Sequence, residues 1–373
     1  MRKKIDILYV THDSLYEGIG MSQIVPVITG LAKTGWEVGV ISCEKRLDNN
    51  KLDQELYDLG ISWKKLKFGK QGALGGVGRL LRLAISSPSA RAYHCRGDLA
   101  AAACILRFRR NILWDVRGLW VDQKLVIGNI SKNKIVIYLS RKLESIAAGN
   151  AKAVSTLTSR VYPVLKKRHP NITNFHMVIP TCTDLTRFEF NPELPKVKTL
   201  LLSGVFNNYY DLDSIKHFIS EFRKIEKLRV VWCHGEEAKS SFLGVGEDEV
   251  KILTQREMST EISLSSFGLA ICKKEIGESL SGVMPTKIAE FLAVGRPVVI
   301  SEGIGDLDEI LTSTETGAVY RNSISSAIRD INLLVNDPNT SSRCRRLAEK
   351  HFNIEQAVVS YNQIFIKLIN FKY

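Results

Sequence analysis

The chain starts the same pattern twice. Residues 5–10 (IDILYV) read as a short buried strand, followed by a polar loop punctuated by glycine (THDSLYEGIGMSQ) and a helical stretch that leads to a second strand, VGVIS. From residue 198 the order returns as KTLLLSG and a helix-patterned run. Short apolar runs bounded by turn residues and alternating with helix-length segments mark strands buried on both faces of a parallel sheet. Such a sheet needs helices on both faces, so each half is expected to be a doubly wound α/β domain. At 373 residues the chain is long for one core and comfortable for two.

Composition excludes several classes. Hydrophobic residues make up 45% and charged residues 24%, with ten prolines and no low-complexity tract, so the chain is neither disordered nor fibrous. The opening MRKKIDILYV looks like the start of a signal peptide, but Asp6 interrupts it and the apolar run ends at Val10, too short for a secretory or spanning segment. It is expected to be the first strand. Seven cysteines (Cys43, Cys95, Cys104, Cys182, Cys233, Cys272, Cys344) are odd in number and form no C-x-x-C, so reduced thiols in a cytoplasmic protein are expected. The net charge of +13 is unevenly placed. Residues 1–175 hold 29 Lys and Arg against 13 Asp and Glu, whereas the remainder holds 23 against 26. The basic half suits a phosphate-rich partner, which could be an anionic membrane surface, a lipid diphosphate or nucleic acid.

The most informative stretch is Ser281–Val299, SGVMPTKIAEFLAVGRPVV. Pro285 suits the first helical position, and Gly295 the left-handed residue past the end, with Pro297 beyond it. Lys287 and Glu290, three residues apart, share one face, while Ile288, Phe291 and Leu292 turn towards a core. A cation and a carboxylate then flank a helix start whose N–H groups and dipole favour an anion. A ligand with a phosphate and a diol fits that geometry, with the amides and Lys287 on the phosphate and Glu290 accepting from two ribose hydroxyls. Spacing leaves open a plain surface Lys–Glu pair.

Other signals are weaker. Gly18 and Gly20 would let backbone approach a ligand before a helix at Ser22, although GIGMSQ does not complete a dinucleotide fingerprint. Residues 69–93 read as a glycine-rich loop and a short basic helix carrying Arg79 and Arg82. That helix either faces a membrane or packs on the core with its arginines in water. YHCRGD and NILWDVRGLWVDQ place Arg96, Asp98, Asp115 and Arg117 at strand ends, where open α/β sheets bind ligands, unless Asp115 and Arg117 are a structural pair. Ser203 and Gly204 open a turn that can present amides to a diphosphate. Asp211 and Asp213 spell D-x-D but are read as helix N-cap residues, and no cluster has metal-ligand spacing.

The run PTKIAEFLAVGRPVV resembles the nucleotide-sugar segment of family 4 glycosyltransferases, in the branch with Pro-x-Lys before the final glutamate, and VIPTCTDLTRF resembles the family's domain-joining segment. The resemblance implies the GT-B fold, an α/β architecture of two doubly wound Rossmann-like domains facing a central cleft. Residues 1–178 would form the acceptor-binding domain, 179–352 the nucleotide-sugar-binding domain, and 353–373 a terminal helix packing back on the first. It implies a UDP- or GDP-linked donor, a lipid-linked or glycan acceptor in cell-surface polysaccharide synthesis, and retention of anomeric configuration. The lack of a ligand cluster predicts that no metal is needed, no other cofactor and no nucleic acid are expected, and the positive charge of residues 1–175 predicts a peripheral place on the inner face of the membrane.

Carried onto this chain, the resemblance puts Glu290 on the donor ribose. Ser203, Gly204, Asn207, Arg256, Gly282, Val283 and Met284 would line the rest of the donor, and Gly18 and Gly20 would face its phosphates. Lys287, Arg117 and Asp115 would be the catalytic groups, and His12, Asp13, Glu17 and Arg96 the acceptor contacts. Gly282 stands where many members carry a glutamate that touches the donor sugar. Asn207, Asn208 and Tyr209 stand where many carry cations, so the leaving-group charge is expected to fall on Lys287. A nucleotide-sugar epimerase on the same fold and a non-catalytic nucleotide-sugar-binding protein are the competing readings.

Overall fold

The computed structural model describes residues 4–46, 50–128, 133–204, 206, 209–234 and 248–370. Contacts divide the chain into a unit of Met1–Pro180 with Ile354–Tyr373 and a second unit of Thr181–Asn353.

The first unit is built on seven strands: β1 (Ile5–Val10), β2 (Val38–Glu44), β3 (Ser62–Lys67), β4 (Ala90–Arg96), β5 (Ile112–Val116), β6 (Ala153–Thr156) and β7 (His176–Val178). They pair in the order β3-β2-β1-β4-β5-β6-β7, every pair parallel. Every residue of β2 and β5 is buried, as expected of strands covered on both faces. Helices Gly72–Ser86, Gly97–Leu106 and Lys134–Asn150 join the sheet in one core that includes Leu83, Ala101, Cys104, Trp114 and Ala147. Helices Val25–Lys33 and Ile354–Asn370 pack together, and Gly30 lets them: a Cβ there would lie 2.4 Å from Val358 Cγ2.

The second unit has six strands: β8 (Thr199–Ser203), β9 (Arg229–His234), β10 (Glu249–Ile252), β11 (Phe267–Ala270), β12 (Val298–Ser301) and β13 (Gly317–Tyr320). Their order is β10-β9-β8-β11-β12-β13, again all parallel. In both sheets the order reverses beside the first strand of the unit, between β1 and β4 and between β8 and β11. Open parallel sheets bind ligands at the carboxyl ends of the strands at such a point.

Local structure differs from the sequence reading in three places. The helix expected from Ser22 opens as a π-helical turn, Gly20–Ile24, before regular helix Val25–Lys33. Pro285 is the residue before helix Thr286–Val294 and not its first member, because its ψ of 127° is extended; Gly295 closes that helix in the left-handed region at φ 95°. The glycine-rich loop is largely helical from Gly72, since the chain packs back on itself there: a Cβ at Gly75 would lie 1.7 Å from the Lys70 carbonyl oxygen.

Candidate functional site

Each unit gathers polar groups at its reversal point. In the second unit, β8 ends at Ser203 and turns at Gly204, whose φ of 104° favours glycine. Helix Thr286–Val294 brings Lys287 to that turn, with Nζ 3.8 Å from where a Gly204 Cβ would be. Lys287 is only 8% exposed, and among the described residues Nζ has no hydrogen-bond partner. It lies 4.4 Å from the Tyr210 ring centre and 5.2 Å from that of Phe206. Burial pulls its pKa down to about 8, against the opposing pull of Cys272 and Glu290. The Ser203 hydroxyl is buried beside the same turn, also without a partner among the described residues.

A buried ammonium left without an acceptor is unfavourable unless something supplies one. The arrangement is therefore prepared for an anion. Pro285 offers the helix start no capping side chain, and the Ile288 N–H donates to the Pro285 carbonyl at 3.1 Å. One turn along, half-buried Glu290 has its pKa pushed up to about 7 by burial, opposed by Arg187 and then Lys287. Lys287 and Glu290 form no ion pair, and the burial of Lys287 removes the plain surface-pair reading. Gly282 and Met284 are buried and Val283 is half-buried just ahead of the helix. Asn207 and the Arg256 side chain lie outside the described residues.

In the first unit, Arg96 at the end of β4 donates from Nε to Asp13 (3.1 Å) and from Nη2 to Gln23 Oε1 (2.8 Å). Arg117, just past β5, donates from Nη2 to the same Gln23 oxygen at 3.0 Å. Two guanidinium groups thus converge on one neutral acceptor. His12 lies 3.7 Å from Asp13, and burial lowers its pKa against the opposing pull of that carboxylate. Burial would raise the Asp13 pKa, but His12 and Arg96 outweigh it.

Asp115, expected among the catalytic groups, is buried, and its oxygens are in contact with groups of the chain itself. Oδ1 accepts from Ser155 Oγ (2.9 Å) and Tyr361 OH (3.3 Å), and Oδ2 lies 3.2 Å from His94 Nε2. Arg117 Nη1 is 3.7 Å away. Burial would raise its pKa, yet Arg117, His94 and Arg96 together hold the carboxyl well below the usual range. Asp115 thus lies beside Arg117 and, through Tyr361, contacts the terminal helix Ile354–Asn370.

Glu17 pairs with Lys45 on the surface (2.8 Å), and the Gly18 carbonyl accepts from Ser22 Oγ (2.6 Å). Gly20 serves the loop's own packing, since a Cβ would lie 2.2 Å from the Ser14 carbonyl oxygen. Asp211 caps its helix by accepting from Ser214 N at 3.0 Å, with Asp213 in the first turn. Among the described residues no group of His, Cys, Asp and Glu could hold a metal ion. Sequence reasoning missed His94, Gln23 and Tyr361. His94 shares a strand face with Arg96 by period-two alternation, a signal available in YHCR, whereas nothing local points to Gln23 or Tyr361.

No protein-family model matches the chain, and no curated protein does. Solved structures do. Sucrose-phosphate synthase from Thermosynechococcus elongatus is similar over 98% of this chain and 99% of its own, with TM-score 0.73 and 15% identity. A glycosyltransferase from Rickettsia africae ESF-5 is similar over 99% and 100%, with TM-score 0.70 and 14% identity. Anabaena HepE in complex with UDP and glucose is similar over 96% and 98%, with TM-score 0.69 and 10% identity. The fold is GT-B. At these identities the likeness concerns GT-B architecture alone, and the chemistry rests on the residues at the two reversal points.

Proposed function

We propose that this GT-B chain is a glycosyltransferase that moves a sugar from a UDP- or GDP-linked donor to a lipid-linked or polysaccharide acceptor, with retention of anomeric configuration, at the cytoplasmic face of a membrane. The observation that carries the reading is the buried Lys287 ammonium at the Gly204 turn, which has no hydrogen-bond partner among the described residues. A sugar leaving a nucleotide diphosphate passes through an oxocarbenium-like state while charge grows on the diphosphate, and a preorganised cation in a dry site stabilises that charge most effectively. Lys287, on helix Thr286–Val294 beside the Gly204 turn, supplies it. Glu290, half-buried on the same helix, accepts from the ribose hydroxyls. Arg96, Arg117 and His12 on the first unit receive the acceptor. HepE, which shares the fold and was solved with UDP and glucose, supports the donor class.

The two second-unit residues should fail differently. Glu290→Ala removes a contact unchanged between ground and transition state, so KM for the donor rises and kcat falls less. Lys287→Met removes a contact that strengthens as the sugar departs, which corresponds to roughly 3 kcal/mol, or about two orders of magnitude in kcat. Donor screening by thermal shift with UDP, GDP and ADP sugars comes first, because a ligand bound only by the folded state raises Tm. Absence of any shift, or a Lys287→Met enzyme with near-normal kcat, contradicts the proposal.

A further inference from the structure

Helix Gly72–Ser86 is turned the opposite way from a solvated basic helix. Arg79 is buried, donating to the Lys70 carbonyl at 2.9 Å and lying 4.3 Å from the Phe68 ring centre, while half-buried Arg82 donates to the Phe68 carbonyl at 3.1 Å. The outward positions are Leu74, Val77, Leu81 and Ile85, with Leu74 87% exposed and Ile85 74% exposed. Their spacing keeps all four within one narrow stripe about 16 Å long. Arg109, donating to the Ser87 carbonyl, holds the turn after helix Gly97–Leu106 against the end of that stripe. There Leu106 is exposed, and Phe108 is 92% exposed with a left-handed φ of 56°, a backbone that a bulky residue adopts only under constraint.

We infer that this outer face docks on an anionic lipid bilayer, with Leu74, Val77, Leu81, Ile85 and Phe108 entering the interface and the surrounding cations meeting headgroups. Charge selects this occupant. Residues 61–110 contain eleven Lys and Arg against a single acidic residue, Asp98, which is buried. Lys64, Lys67, Lys70, Arg107 and Arg110 are exposed along this stretch. A second copy meeting the same face would bring like charge onto like charge. Nucleic acid would satisfy the cations but give the leucines no apolar partner. An anionic bilayer satisfies both, combining apolar burial with attraction to headgroups. The inference deepens the proposed function, resting on it for the purpose of the docking, since it puts the acceptor-binding unit on the membrane that carries a lipid-linked acceptor.

The test is sedimentation of the full chain with vesicles of equal parts phosphatidylcholine and phosphatidylglycerol, without donor or acceptor. Leu81→Gln and Ile85→Gln, both at exposed helical positions, should each lower vesicle partition by about tenfold. Phe108→Asn should lower it similarly while leaving thermal stability equal or better, because asparagine tolerates the left-handed backbone. Undiminished partition in the combined variant overturns the inference. So does wild-type self-association in sedimentation velocity that these substitutions abolish, or displacement from vesicles by duplex DNA that they leave unaltered. A chain that pellets through this face yet transfers no sugar refutes the transferase reading and leaves the docking face standing.

Discussion

Replacing Lys287 with methionine should make the unliganded protein more stable. Burial at the Gly204 turn pulls the amine from its ordinary pKa of 10.5 to about 8. That difference corresponds to roughly 3 kcal/mol of unfavourable burial while the amine is charged, at about 1.4 kcal/mol per unit. The Tyr210 and Phe206 rings offset about 0.5–1 kcal/mol each. Methionine fills nearly the same volume without charge, so Lys287→Met should gain about 1–2 kcal/mol at neutral pH. The gain must also depend on pH with a definite sign. Below about pH 8 folded and unfolded chains both hold the proton, and the penalty is constant. Between about 8 and 10.5 the unfolded chain keeps the proton and the folded one releases it, so wild-type stability rises with pH. The advantage of the variant should be full at neutral pH and fade towards pH 10. Urea unfolding of both proteins at the two pH values measures this as a shift in midpoint at constant slope. A variant less stable than wild type at neutral pH, or a gain that is the same at both, refutes a solitary buried charge at this turn.

Three further outcomes are expected. Titration of UDP into the protein should show affinity falling as pH rises through about 8, where the unliganded Lys287 loses its proton, and Lys287→Met should flatten that profile. Transfer should persist in excess chelator, because Asp211 is committed to its helix cap; a loss restored by Mg²⁺ or Mn²⁺ contradicts this. Asp115→Ala should destabilise the protein by about 3 kcal/mol or more, since it leaves Arg117 without its carboxylate and His94, Ser155 and Tyr361 without an acceptor. A change below about 1 kcal/mol in urea unfolding would show that the network relaxes onto other partners.

Local and periodic features were legible before the fold was known. IDILYV, the strand ending at Ser203, the D-x-D cap and the left-handed Gly295 all follow from residue type and nearest neighbours. Lys287 was legible as a cation on the right helix, but its burial was not, because burial depends on Phe206 and Tyr210 reaching it from the β8 turn. Helix Gly72–Ser86 was misjudged for the same kind of reason. Glycines read as loop until the carbonyl of Lys70 shows why side chains are excluded, and arginines read as solvent-facing until the backbone oxygens of residues 68 and 70 draw them inward. The Asp115 network was illegible altogether, since Tyr361 approaches it from 246 residues away.

That last separation bears on how the protein is made. The first unit takes its final helix, Ile354–Asn370, from beyond the whole of the second. On a ribosome adding roughly 5–20 residues per second, Tyr361 follows Asp115 by about 12–50 seconds. Throughout that interval the carboxylate has no tyrosine to close over it, and the groove that helix Val25–Lys33 presents at Gly30 has no occupant. The unit translated first is therefore the unit completed last.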